Sequence, residues 1–454
     1  KTAYEIMPSL VGAEMCIRDR GVSECKPSSL EDYERALYQF QSNFGDPLET
    51  LAVTFKNDRE FVMGHIFNAS AMLMMTERQY IPAIRHSIES AESLSHKSND
   101  REKELIVAAR DCLEGRWDRA CVAWDRVLAR YPRDAMAIQC AHLMDFFRGD
   151  AVNLRDRVSR VIQHWHESVL GYSYILGMQA FGFEECNQYD KAEEIANKAL
   201  EIEPRDGWSV HALAHVMEMQ GRYEEGKDLM LSREQDWAPD NGFASHNWWH
   251  LALFHIEHED FPSAVRLYDE KVIPEDSDLT TRMLDATALL WRLHLQGVDV
   301  GERWNRIADM WARKAPVENG YYAFNDLHAV ISFLGAGRTA EARTVLTAVE
   351  EAAKTNLESA SRMAREVGIP ACSAFLAFAE ERYKDAVELL LPIRTIAHRF
   401  GGSHAQRDIL TQTLIESAIC ADNTGLASNL ISERSVHKPF SPLTRRFSAK
   451  IKTH

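Results

Sequence analysis

The segments WSVHALAHVMEMQGRY (residues 208–223) and SHNWWHLALFHIEHEDF (residues 245–261) decide how this chain folds. Each holds two histidines four residues apart, His211 with His215 and His246 with His250. On an α-helix both imidazoles of a pair therefore share one face, a turn apart. Glu218 continues the first face. Each segment ends at an aromatic residue, Tyr223 or Phe261, that opens another helix. The same device used twice predicts a repeat.

The neighbouring sequence carries that repeat outward. From Leu30 onward almost every window shows the 3.6-residue apolar period without strand-like alternation. Helices are predicted from 30–42 through 424–434, joined by loops short enough to make sequential helices antiparallel neighbours. An aromatic residue followed three positions later by a small one recurs at Trp117/Ala120, Tyr189/Ala192, Tyr223/Gly226, Phe261/Ala264 and Tyr383/Ala386. The step from 189 to 223 is 34 residues and the next, to 261, is 38. Paired helices at a period near 34 are the tetratricopeptide spacing. The clearest unit spans roughly 173–206, with Ala192, Ala199 and Pro204 in the small, small and proline positions. The expected fold is all-α, a superhelix of irregular tetratricopeptide-type hairpins (an α-solenoid). The segment after 424 should cap it, with turns at Pro439 and Pro442 and a basic tail ending the pattern.

Length alone admits about three ordinary domains or one stacked array, and the repeat selects the array. Of the 454 residues 45% are hydrophobic and 26% charged, the balance of a folded protein. The formal charge of −16 repels phosphate backbones, so no nucleic-acid partner is expected. No apolar run is long enough to span a membrane. The eight cysteines show no C-x-x-C spacing and read as reduced thiols of a cytoplasmic protein. Lys1–Arg20 lacks the regions of a signal peptide. Its second half, VGAEMCIRDR (11–20), has the character of a translated artefact. Residues 1–24 are thus expected to be artefact or disordered, and 25–454 a single solenoid.

Counting Tyr223 as repeat position 17 puts His211, His215 and Glu218 at positions 5, 9 and 12. Counting Phe261 likewise puts His246 and His250 at positions 2 and 6. The core positions are then filled by Val210, Leu213, Ala214 and Met217 in one helix and Trp248, Leu251 and Ala252 in the other. Positions 2, 5, 9 and 12 of a tetratricopeptide first helix face the concave groove, so the imidazoles and Glu218 should share one stretch of it. Two later segments join them if the superhelix closes on itself: Asn325, Asp326 and His328 on one helix start, and the glycine turn 401–404 leading to Gln406, Arg407 and Asp408. A helix N-terminus there, with Arg407, can take an anion. Phe61–His65 opens a first helix in the same style.

Several chemistries remain open. His211, His215, Glu218, His246 and His250 are candidate ligands of a divalent metal. His215 or His250 could act as a metal-free general base, oriented by Glu218 or Asp326. The histidines and Trp249 could instead recognise a peptide or small anionic ligand in the groove. The remaining possibility is that they are buried polar residues satisfied by their neighbours. The expectation adopted is a groove that binds a peptide or small anion. A metal-assisted, hydrolase-like enzyme is the alternative and an interaction scaffold the third reading; oligomeric state stays open.

The chain resembles the tetratricopeptide-repeat protein 38 family over about residues 30–445. The resemblance rests on Phe-Val-Met-Gly-His at 61–65, Trp-Ser-Val-His at 208–211, Ala-His at 214–215, Glu218-Met219, His246-Asn247, Trp249-His250, Phe-Asn-Asp at 324–326 with His328, Leu-Leu-Leu-Pro-Ile-Arg at 389–394, and Gln-Arg-Asp at 406–408. It implies an α-helical repeat protein similar to soluble intracellular members, and it carries no established activity. His404 departs from the pattern, which can have asparagine there.

Overall fold

The computed structural model describes residues 21–355 and 358–453, and the expectation for residues 1–20 lies outside them. Residues 21–24 are tied to the helix Asp100–Leu113: Asn99 and Arg101 donate to the Gly21 carbonyl, and Ser23 donates to Glu102. Apart from an isolated antiparallel bridge between Phe44 and Asn241, the regular structure of the described residues is helical. The chain is an all-α solenoid of helical hairpins. Tyr189–Ile202 and Gly207–Gln220 begin and end where the apolar period places them.

Among the described residues, two helices longer than one turn escape the sequence reading, Pro47–Asn57 and Pro442–Thr453. Both open on proline, whose missing N–H and fixed φ suit a first helical turn. Asp46 caps the former by accepting from the amides of Leu48 and Glu49. Within the expected capping segment, Pro442 therefore starts a further helix where the sequence reading places a turn that ends the pattern.

The small positions work as the repeat requires. Ala120, Ala192, Ala264 and Ala386 are fully buried between paired helices. At Gly226 a Cβ would lie 2.4 Å from the Phe254 ring. The described cysteines are free thiols, and Cys112, Cys121, Cys140 and Cys372 are buried core residues.

The first helices of successive hairpins stack side by side in the order Tyr172–Glu185, Gly207–Gln220, Ala244–Glu257, Thr280–Leu295, Ala323–Gly335, Ile369–Ala379 and His404–Cys420. This inner row winds tightly enough that its last member returns to the earlier ones. The 404–420 helix packs against both 280–295 and 207–220, with the Trp291 indole donating to Thr413 Oγ1 at 2.9 Å. From the other end, the helix Pro27–Ser42 lies across the same row: Trp208 Nε1 donates to the Gln41 carbonyl and Gln139 to that of Phe40. The turn at 76–79 docks on residues 278–325 through Lys314–Glu77, Glu318 with the amides of Arg78 and Gln79, and Asn325 with the Thr76 carbonyl. The inner row is consequently overlaid in part by segments of the chain itself.

Phe254 is fully buried and has nowhere to retreat. Gly226→Ala should destabilise the protein by about 1–3 kcal/mol despite the better helix propensity of alanine, read as a lowered denaturation midpoint.

Candidate functional site

Asp206 caps the 207–220 helix through the amides of Trp208 and Ser209, which sets the phase of His211 and His215. Gly221, at φ 75°, ends it in a left-handed turn where a Cβ would meet the Pro439 carbonyl at 2.3 Å. The neighbouring 244–257 helix carries His246 and His250. The two pairs meet. His211, His215, His246 and His250 each offer a ring nitrogen, and these nitrogens all lie within 4.8 Å of one another. His215 Nε2 is 3.0 Å and His246 Nε2 3.2 Å from His211 Nε2. Ring centroids of neighbouring imidazoles are 4.4–5.0 Å apart.

The expected open groove needs correcting at these residues. His215 and His250 are 0% exposed and His211 3%, because the helices they sit on are covered on their inner as well as their outer faces. A peptide lying in an open concavity would not reach them. Phe181 and Phe243 pack on His211, and Trp249 stacks on His246 at 5.3 Å with Arg292 over its ring.

Behind three of the rings stands a carboxylate, each from a different helix. His246 Nδ1 is 2.8 Å from Asp285 Oδ2, His250 Nδ1 is 3.4 Å from Glu218 Oε2, and His215 Nδ1 is 3.6 Å from Glu184 Oε2. A carboxylate only accepts, so His246 donates from Nδ1, which leaves its Nε2 facing His211. An imidazole nitrogen has one proton or one lone pair, so His211 Nε2 cannot satisfy both His215 and His246 by hydrogen bonds. The His250 ring nitrogens and the Nδ1 atoms of His211 and His215 have no hydrogen-bond partner. Burial first, and the neighbouring imidazoles second, hold His211, His215 and His250 well below the usual histidine range. An imidazole hydrogen-bonded to a carboxylate through one nitrogen, with the other turned toward neighbouring imidazoles, as His246 is, is a metal-ligand arrangement. In a tetrahedral shell with metal–nitrogen bonds near 2.0–2.1 Å, nitrogens sit about 3.3–3.4 Å apart, close to the two separations found.

Glu218 belongs behind this set and not in it, since it also pairs with Lys438. Lys438 in turn lies 3.5 Å from Asp408, which is held by Arg434 and Gln412. Burial pushes Asp408 up, but Arg434 and Lys438 outweigh it and hold the carboxyl far below its ordinary value. The 404 helix N-terminus does take an anion, and it is the chain's own Glu185: the His404 amide donates to Oε1 at 2.7 Å and Arg407 to Oε2 at 3.0 Å. Gln406 closes a capping box with Ser403. The remaining candidates are engaged elsewhere. Asn325 bonds Thr76, Asp326 accepts from the Gly320 amide, His328 donates to the Phe324 carbonyl, and His65 bonds the Arg59 carbonyl against Phe55.

Between the 404–438 segment and residues 118–154 and 185–219 lies a cavity of about 880 Å³, lined among others by Arg148, Glu185, His404, Arg407, Asp408 and Lys438. Its deep basic groups are paired with acids. Sequence reasoning missed Glu184, Glu185, Asp285, Arg292 and Lys438. Only Asp285 left a signal, a lone carboxylate inside the apolar run Met283–Trp291.

No family model matches the chain. Among solved structures, the human IFIT1 dimer with m7Gppp-AAAA is similar over 95% of this chain and 96% of its own, at 13% identity and TM-score 0.43. The yeast Tom70 crystal structure is similar over 77% and 88%, at 13% identity and TM-score 0.34. At these values neither likeness bears on ligand or activity.

Asp326 supplies a test of burial. Burial pushes its carboxyl up to about 7 from an ordinary 3.8. A folded pKa raised in this way gives a contribution that is fully present below about pH 4 and lost as pH rises through 7. Asp326→Asn should flatten that fall by about 2–3 kcal/mol between pH 5 and pH 8, measured as unfolding free energy at the two pH values.

Proposed function

We propose that the four histidines hold a first-row transition-metal ion and that this protein is a metal-binding helical-repeat protein. The observation that carries the reading is the convergence of His211, His215, His246 and His250 with carboxylates placed behind three of the rings. Imidazole donors suit zinc, copper, nickel or iron. A bound cation would give the inward lone pairs the partner that hydrogen bonding among the rings cannot supply. The candidate general-base role of His215 and His250 gives way to ligation here, because both rings point into the cluster. Asp326 is tied to Gly320 and serves neither reading.

The cavity supports a second element of function. Its volume of about 880 Å³ is in the range of small-molecule sites. We infer that it takes a compact ligand carrying charge, since acids and bases both line it, in place of the extended peptide expected in an open groove. Metal-assisted, hydrolase-like chemistry, the alternative reading of the sequence, requires an open coordination position, which four imidazoles around one ion do not leave. The motifs from 61–65 to 406–408 support membership of the tetratricopeptide-repeat protein 38 family and a single solenoid over residues 25–454. No described helix is long and apolar enough to cross a membrane. The free thiols fit a reducing, cytoplasmic setting, and the charge of −16 disfavours a nucleic-acid partner.

Purified full-length protein should contain stoichiometric metal by elemental analysis. The double variant His215→Ala, His250→Ala should lose it, and chelation should lower the wild-type unfolding midpoint, with metal at a thousand times its Kd restoring about 4 kcal/mol. Wild-type protein that takes up no zinc, copper, nickel or iron after dialysis would remove the metal reading.

A further inference from the structure

We propose that Glu184, Glu185 and the Nδ1 of His215 form a second divalent-cation position, which shares His215 with the four-histidine centre and opens on the cavity through Glu185. The proposal rests on the four-histidine reading. Three donor atoms from these residues lie within 4.8 Å of one another, and all three side chains are buried.

The state of Glu184 points to a ligand. It is 0% exposed, and neither carboxylate oxygen has a hydrogen-bond partner. Buried carboxylates are ordinarily paired, because leaving one without partners costs several kcal/mol. The nearest donor, His215 Nδ1, stands 3.6 Å away, beyond a hydrogen bond. Glu185 is only half used. Each of its oxygens accepts one bond, from the His404 amide and from Arg407, whereas an ionised carboxylate offers about four acceptor sites.

The two positions divide the chemistry. Four imidazoles complete a tetrahedral shell and leave no open site, the pattern of a structural ion. The second set has three protein donors, so water or a ligand oxygen completes its shell, the pattern of a reactive ion. Its mixed nitrogen and oxygen donors suit zinc, manganese or iron. Glu185 lines the cavity, which places that open side where a ligand can arrive. Loading both positions requires His215 to coordinate through both ring nitrogens. Its remaining ring proton is released to solvent, as is the proton that burial keeps on Glu184, which then binds as the carboxylate.

The test uses the full chain, stripped with chelator and reloaded separately with zinc and with copper(II). Elemental analysis should find two zinc ions per chain in the wild type and one in Glu184→Gln, which keeps the shape of the side chain. Two copper(II) ions bridged by one imidazole should give an exchange-coupled electron paramagnetic resonance spectrum, replaced in Glu184→Gln by that of an isolated ion. One zinc per wild-type chain with an uncoupled copper spectrum overturns this proposal and leaves the four-histidine centre standing. Two ions retained in Glu184→Gln also overturns it, and no ion at all removes both readings. Should Glu184→Gln fail to fold, the wild-type copper spectrum decides alone.

Discussion

Four imidazoles pressed together, three of them buried, set a constraint that hydrogen bonds among themselves cannot meet. His211 Nε2 faces two other ring nitrogens at 3.0 and 3.2 Å and can satisfy only one of them. Much of the surrounding architecture answers this constraint. Asp285, Glu218 and Glu184 arrive from three different helices to stand behind His246, His250 and His215. Asp285 fixes the His246 ring by a hydrogen bond, while Glu218 and Glu184 stand near their rings without forming one. The helices cannot slide past one another without breaking that set, so the cluster also fixes their mutual register.

The carboxylates raise a second problem, because they too are buried. The chain's C-terminal segment supplies the compensating cations. Lys438 pairs with Glu218, Arg434 with Asp408, and Arg407 with Glu185. Buried pairs of this kind add little net stability, since desolvation offsets most of the attraction, but removing one partner strands the other. Their effect is specificity. The 404–420 helix itself meets 280–295 through the Trp291 indole on Thr413 and Arg292 on the Ala405 carbonyl, and reaches helix 172–185 through Arg407 and Glu185.

Closure changes what the concave side can do. An open tetratricopeptide groove presents polar positions to an extended partner. Here those positions are covered by 404–438 from one end and 27–42 from the other, and the space that remains is a cavity with charges of both signs. The anion that the glycine turn and helix N-terminus at 401–404 are built to receive is Glu185 of the same chain. A feature that reads as a ligand site in a linear sequence has become a joint in the fold.

The sequence by itself determined the helices, the hairpin period and the pairing of histidines on one face. All three depend on spacing within a single helix or between neighbours: Tyr189 to Tyr223, His211 to His215, Ala192 against its partner helix. It also placed the two histidine pairs in one stretch of the inner row, since consecutive first helices must lie side by side. It could not tell that Pro442 opens a helix, because proline stops one helix and starts another with equal ease. Nor could it show that Glu184, Asp285 and Lys438 gather around the imidazoles. Glu184 and Asp285 sit on the first helices stacked next to the histidine-bearing ones, whereas Lys438 comes from far along the chain, and only the curvature accumulated over many hairpins brings it there. Local periodicity carries no record of that curvature, so the burial of the histidines, the partners behind them and the cavity beside them were decided by tertiary structure alone.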